Sequence, residues 1–162
     1  MKSARISIAI AVCALGLAAC DDKKETVADA ADPAQAVTQR QDLMKDNGAH
    51  AKAINEFVES GKGTAAEVKT HAEALQANAK RIPALFPAGT SADDMPGKSY
   101  AKADIWAKKP EFEKAAYELE EQAEKLAEVA GAGDAAAIKT QFASLGKDAC
   151  GACHQAFRLK KE

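Results

Sequence analysis

Near the carboxyl end stand Cys150-Gly151-Ala152-Cys153-His154, and this Cys-x-x-Cys-His spacing matches the attachment pattern of a c-type haem. The spacing has a chemical reason. Two thiols three residues apart on a helix share a face and each adds to a vinyl group of one porphyrin. The adjacent histidine rises beneath the ring and offers an imidazole nitrogen to the iron. Two other uses of paired cysteines fit poorly. A structural zinc site needs about four ligands, and the remaining histidines, His50 and His71, show no ligand spacing to the motif. A thioredoxin-like redox pair follows a strand, and no strand pattern precedes Cys150.

The other two of the chain's 4 cysteines lie at the amino end. Lys2 and Arg5 precede an apolar run from Ile6 to Leu17, too short for a permanent membrane span and typical of an export signal. The run ends in Leu17-Ala18-Ala19-Cys20, which resembles a bacterial lipoprotein signal. Cleavage there discards Cys13 and makes Cys20 a lipid anchor at a membrane. The competing expectation is ordinary secretory cleavage, for instance after Ala28-Asp29-Ala30, which releases a soluble protein. Either way the chain is expected in the periplasm, outside the cytoplasm, where haem is attached to this motif.

The whole chain carries 22 basic and 24 acidic residues. Loss of residues 1–19 leaves 20 basic against 24 acidic, a net charge near −4 before any haem propionates. Such a balance, with no basic cluster among aromatics, argues against a nucleic-acid partner. Residues 1–19 are thus expected to be a lipoprotein-type signal peptide, 20–33 a flexible tether ending at Pro33, and 34–162 one domain.

Alanine is abundant and the apolar spacing is helical throughout, so the domain is expected to be all-α. A first helix is predicted over Ala34–Ser60, with Val37, Met44, Ala51, Ile54 and Val58 inward. Gly61 and Gly63 end it, and Thr64-Ala65-Ala66-Glu67 has the form of a capping box. The second helix turns Val68, Ala72, Leu75, Ala79 and Ile82 inward and stops before Pro83. A long connection with Pro83, Pro87, Gly89, Pro96 and Gly97 follows, with one or two helical turns expected over Ser99–Ala107. Phe86, Tyr100 and Trp106 lie in this connection, suited to packing across the bundle end or to contact with the haem.

Pro110 opens a third helix with Phe112, Ala116, Leu119, Ala123 and Leu126 inward. Asp134 caps a fourth, whose Ile138, Phe142, Leu145 and Ala149 lead into the haem motif. The architecture predicted is an antiparallel four-helix bundle with a C-terminal covalent haem site.

A histidine below the ring leaves one iron position open. Met44 lies about ten residues into the first helix, roughly 15 Å along its axis, and His154 roughly 12 Å from the chain end. In an up-down-up-down bundle the two fall at a similar level. Arg40, one turn before Met44, would place a charge in an apolar seam unless a haem propionate pairs with it. Met44 read without the haem is a core filler.

These residues resemble the class II c-type cytochromes, the family that includes cytochrome c′, and within it the low-spin cytochrome c-556 branch. The pieces that carry the resemblance are Thr38-Gln39-Arg40, Leu43-Met44-Lys45-Asp46-Asn47-Gly48, Leu85-Phe86-Pro87, Ile105-Trp106 and the haem motif with Phe157-Arg158. The resemblance implies one covalent haem c held by Cys150 and Cys153, with His154 as proximal ligand and Met44 as distal ligand. It places Arg40 near a propionate and Arg158, one turn after His154, beside the proximal face. Cytochrome c′ proper keeps the distal position empty under an apolar or aromatic residue, and a methionine can occupy that site without binding iron.

The function expected first is electron transfer through six-coordinate low-spin His/Met iron, with redox partner proteins in the periplasm or at the membrane and no catalysis on a substrate. The alternative is a five-coordinate, high-spin protein binding small gases such as NO and CO. A third possibility is a haem-free helical lipoprotein with a thiol pair. A homodimer is compatible with all three.

Overall fold

The computed structural model describes residues 32–160; the expected signal peptide, Cys20 and most of the tether lie outside them. Helix α1 spans Pro33–Ser60, α2 spans Ala65–Arg81, α3 spans Asp104–Ala107 and α4 spans Lys109–Gly131. The last bundle arm consists of α5 (Ala135–Ser144), a stretch of wide π-type turns over Leu145–Gly151, and α6 (Ala152–Phe157). A 3₁₀ turn, Pro83–Leu85, follows α2. The four long arms pack as a bundle, with α2 against α1 and α4, and α5 against α4 and α1. No β-strand occurs among the described residues, and no helix there is long and apolar enough to cross a membrane.

The helix ends follow local chemistry. Asp32 accepts from the Ala34 amide at 3.1 Å, with Pro33 at the first helical position, where its missing N–H costs nothing. The capping box of α2 is complete: Thr64 Oγ1 accepts from the Glu67 amide at 3.2 Å and Glu67 Oε2 accepts from the Thr64 amide at 2.7 Å. Asp134 Oδ1 accepts from the amides of Ala136 and Ala137 at 2.9 and 3.0 Å. Gly61 ends α1 at φ 68°, a conformation that strains residues bearing a Cβ.

All five predicted inner residues of α2, and all five of α4, are buried. The α1 stripe is only partly as expected. Val37 and Ile54 are buried, but Met44, Ala51 and Val58 are half-buried, and the core face also includes Ala36, Arg40 and Leu43. For Met44 the cause is that α1 borders an open cavity on that side rather than another helix. The helical expectation for Ser99–Ala107 holds only over Asp104–Ala107; Ser99–Ala101 is extended and hydrogen-bonds to other elements.

The last arm is not one regular helix. Leu145, Ala149 and Phe157 are buried and Cys153 half-buried, at successive steps of four residues. In an α-helix each step of four overshoots a full turn by ~40°, so such a row drifts off its face. Wider turns over Leu145–Gly151 hold the row in line. Gly151 tolerates the geometry because a Cβ there would meet the Gly146 carbonyl oxygen at 3.2 Å. Phe142, expected inside, is half-buried at the start of this change of winding.

Thr64→Ala removes one arm of the capping box and should lower unfolding free energy by about 1 kcal/mol, read from the midpoint of urea unfolding at unchanged slope.

Candidate haem site

Between α1 and the end of the last arm lies a cavity of about 760 Å³, within the range of small-molecule and cofactor pockets. Val37, Arg40 and Met44 of α1 line one wall, and Cys153, His154, Phe157 and Arg158 line another. Ile82, Phe86, Ile105 and Phe112 add apolar surface, and Tyr100 and Ala101 close a side. Met44 and His154, 110 positions apart in sequence, therefore border one space. Cys150 is not on that wall; it packs half-buried against the core one turn before Cys153.

The cavity floor is aromatic. Phe86 meets Phe112 edge-on at 4.8 Å between ring centroids, and Phe112 meets Phe157 at 5.4 Å. Trp106 does not line the cavity; its indole N–H donates to the Phe86 carbonyl at 3.1 Å and so holds the loop that presents Phe86. Of the three connection aromatics, Phe86 and Tyr100 face the cavity and Trp106 serves packing.

Burial penalises the charged forms of the site's groups. It raises the Cys150 thiol and pushes Cys153 up to about 11, with the neighbouring Cys150 a smaller cause for Cys153. It also lowers His154, helped by the positive charge of Arg158, so that the imidazole favours the neutral form able to ligate a metal. His154 nonetheless exposes much of its surface on the cavity wall. Its backbone carbonyl accepts from the Arg158 amide at 3.0 Å, and α6 ends there.

Arg40 is buried, as its position among apolar residues implied, but its partners were not foreseen. Nη1 donates to Thr90 Oγ1 at 2.8 Å, and Nη2 donates to the Thr90 carbonyl at 2.6 Å and to Ser99 Oγ at 2.7 Å. The guanidinium carbon sits 4.6 Å above the Phe86 ring centroid. Burial holds the guanidinium below its ordinary value, yet arginine stays cationic. No carboxylate pairs with it among the described residues.

A second cluster escaped the sequence reading. His50 and His71 join α1 to α2 through an Nδ1···Nδ1 contact of 2.9 Å. Asp46 Oδ2 lies 3.4 Å from His50 Nε2 and accepts from Asn78 Nδ2 at 2.7 Å. The signal available was spacing within α1: Asp46 and His50 stand one turn apart, and Asn78 interrupts the apolar stripe of α2. No group of three or more histidine, cysteine or acidic side chains among the described residues is arranged to hold a metal.

An all-α bundle with a paired-thiol and histidine motif on its last arm, facing a cofactor-sized cavity, defines a c-type haem protein of the four-helix class. The chain belongs to the cytochrome c′ family, whose profile, Cytochrome C′, matches residues 35–158. It is 38% identical over 128 residues to cytochrome c′ of Pararhodospirillum photometricum, covering 79% of this chain and 99% of that one. It is 35% identical over 126 residues to cytochrome c-556 of Agrobacterium tumefaciens (strain II Chrys), covering 77% of this chain and 98% of that one. Among solved structures it is similar to a cytochrome c′ with ligand-controlled dimer dissociation, at 31% identity and TM-score 0.72, covering 80% of this chain and 98% of that one. A nitric oxide complex of a cytochrome c prime variant from Alcaligenes xylosoxidans matches at 27% identity and TM-score 0.70, covering 82% of this chain and all of that one. The family's cofactor is covalently attached haem c. The cavity fits it in size and in its apolar, aromatic floor, with the Cys153 thiol and the His154 imidazole on one wall and Cys150 one turn before Cys153.

Two outcomes follow. Arg40→Met strips the donors from the Thr90 carbonyl and two hydroxyls and should cost about 2 kcal/mol of stability; Arg40→Lys should recover less than half of that, because one ammonium cannot replace the fork. In folded protein without haem, Cys153 should alkylate slowly with iodoacetamide at pH 8, and the rate should climb as pH rises towards about 11, because the thiolate is the nucleophile. Urea unfolding reads the first, and peptide mass mapping of the alkylated cysteine reads the second.

Proposed function

We propose that this chain is a periplasmic haem-c protein of the gas-binding kind, in which thioether bonds from Cys150 and Cys153 hold the haem and His154 ligates its iron. The shared cavity, with Cys153 and His154 on one wall, supports the haem, and the likeness to relatives named cytochrome c′ carries the gas-binding reading. Bound haem supplies an iron centre that exchanges one electron and coordinates diatomic gases. The chain supplies the rest. His154 offers a neutral nitrogen, the Phe86, Phe112 and Phe157 rings exclude water, and Arg40 and Arg158, both on the cavity lining, would offer positive charge to propionates.

The sequence favoured electron transfer first and gas binding second. The relatives named cytochrome c′, and the nitric oxide complex among the structural neighbours, support the reverse order. Electron transfer with Met44 as sixth ligand is kept as the second reading for one specific reason. A methionine stands on the cavity wall, and relatives named cytochrome c-556 are also 35% identical to this chain. Thioether ligation would raise the reduction potential and suit redox partners in the periplasm. A lipidated Cys20 would confine either activity to a membrane surface, a proposal resting on residues 17–20 alone. A homodimer is proposed from the solved relative whose dimer dissociates under ligand control.

Optical spectra of the purified protein test the proposal. The ferrous form should be high-spin and bind carbon monoxide, and Met44→Ala should leave the spin state unchanged while speeding carbon monoxide entry. A low-spin ferrous spectrum that Met44→Ala turns high-spin would replace this reading with the electron-transfer one. An intact mass without the haem increment would end both.

A further inference from the structure

The segment Lys98–Lys102 is hydrogen-bonded on one side to α1 and on the other to the end of α6. On the α1 side, Arg40 Nη2 donates to Ser99 Oγ and Gln41 Nε2 donates to the Lys98 carbonyl, each at 2.7 Å. Ser99 Oγ also donates to the Thr90 carbonyl at 2.9 Å and accepts from the Ala101 amide at 3.2 Å, so the segment is anchored to the loop beneath it. On the α6 side, the Lys102 amide donates to the Phe157 carbonyl at 3.0 Å and the Leu159 amide donates to the Tyr100 carbonyl at 2.8 Å. Ala101 and Arg158 form an antiparallel bridge. The Lys102 ammonium donates to the carbonyls of Gln155 and Ala156 at 2.9 and 3.2 Å.

The anchor points carry the consequence. Arg40 and Gln41 lie one turn before Met44, and Gln155 and Ala156 directly follow His154. The last carbonyls of a helix lack partners within it. Lys102 fills two of them and sets a cation against the negative end of α6. No extended packing joins α1 to α6, since the cavity lies between them. A direct chain of hydrogen bonds across that gap therefore runs through five residues.

We propose that Lys98–Lys102 is a strap that sets the separation of the Met44 wall from the His154 wall and so decides how closely Met44 approaches the iron, with Lys102 and Ser99 as its positioning residues. The inference rests on the proposed placement of the haem between those walls. Its physical basis is the short reach of a ligand bond. Moving the Met44 wall towards or away from the His154 wall therefore decides between a bound sulfur and a crowding methyl.

Lys102→Met keeps the length of the side chain and removes its donors. In holoprotein matured with haem, this variant, which loses both charge-assisted hydrogen bonds to α6, should raise the carbon monoxide association rate by about tenfold. Its ferrous spectrum should shift towards the high-spin form wherever Met44 is bound in the parent. Lys102→Arg should restore the parent rate, and Ser99→Ala, which loosens the α1 anchor, should change it in the same direction as Lys102→Met. Ser99→Ala also keeps the test open if Lys102→Met does not fold. Faster amide exchange at Arg158 and Leu159 in Lys102→Met reports the loosened strap without reference to the haem. Holoprotein variants that lose thermal stability yet keep the parent's spectrum and association rate would overturn the strap. A parent chain that takes up no haem would instead overturn the placement on which the strap depends.

Discussion

The interaction on which the site depends is the buried guanidinium of Arg40 bound to Thr90 and Ser99. A cation within an apolar helix seam is costly unless hydrogen bonds replace its water. Here two hydroxyls, one carbonyl and the face of Phe86 do so. To supply them, the long connection between α2 and α4 must come to α1 and stay there. In doing so it brings Phe86, Tyr100 and Ala101 to the cavity edge and presents the segment that reaches α6. One buried charge thus fastens to α1 a stretch whose only helical pieces are the 3₁₀ turn at Pro83–Leu85 and the single turn of α3.

The bundle is closed in its middle and open beside Met44, and residue size explains why. Facing positions of α2 and α4 are dominated by alanine, with Ala72, Ala79, Ala116 and Ala123 all buried, so their backbones approach closely around Leu75, Leu119 and Leu126. Along α1 the Met44 side meets no equivalent partner helix. The apolar surface left there is what a flat aromatic cofactor would cover, and its burial would contribute stability of the same hydrophobic origin as the core. The wide turns of the last arm belong to the same design, since they keep Leu145, Ala149, Cys153 and Phe157 in one row leading to the cavity.

Away from the cavity, α1 and α2 are fastened by polar contacts. His50 meets His71, and Asp46 and Asn47 both accept from Asn78, whose own carbonyl oxygen accepts from Arg81 at 3.2 Å. These contacts specify the register of two helices whose inward faces are otherwise rich in small residues, because a slip of one turn would leave Asn78 buried without partners. They also give α1 a fixed base from which the turn bearing Arg40 and Met44 projects.

The sequence by itself determined the four arms and the class of cofactor. Period, caps and glycine stops marked the four arms, because a helix records its buried face in local spacing, and the Thr64 capping box and Asp134 cap were legible to the residue. The Cys150, Cys153 and His154 group was legible for the same reason: its chemistry needs neighbours in sequence. Tertiary structure decided what depends on residues distant in the chain. It placed Met44 and His154 on one cavity, gave Arg40 its partners fifty and more positions away, and paired His50 with His71. It also replaced the expected helix at Ser99–Ala101 with an extended segment. Local propensity cannot encode these features, since each exists only where separate elements meet and where hydrogen bonds offered by one satisfy groups left open on another.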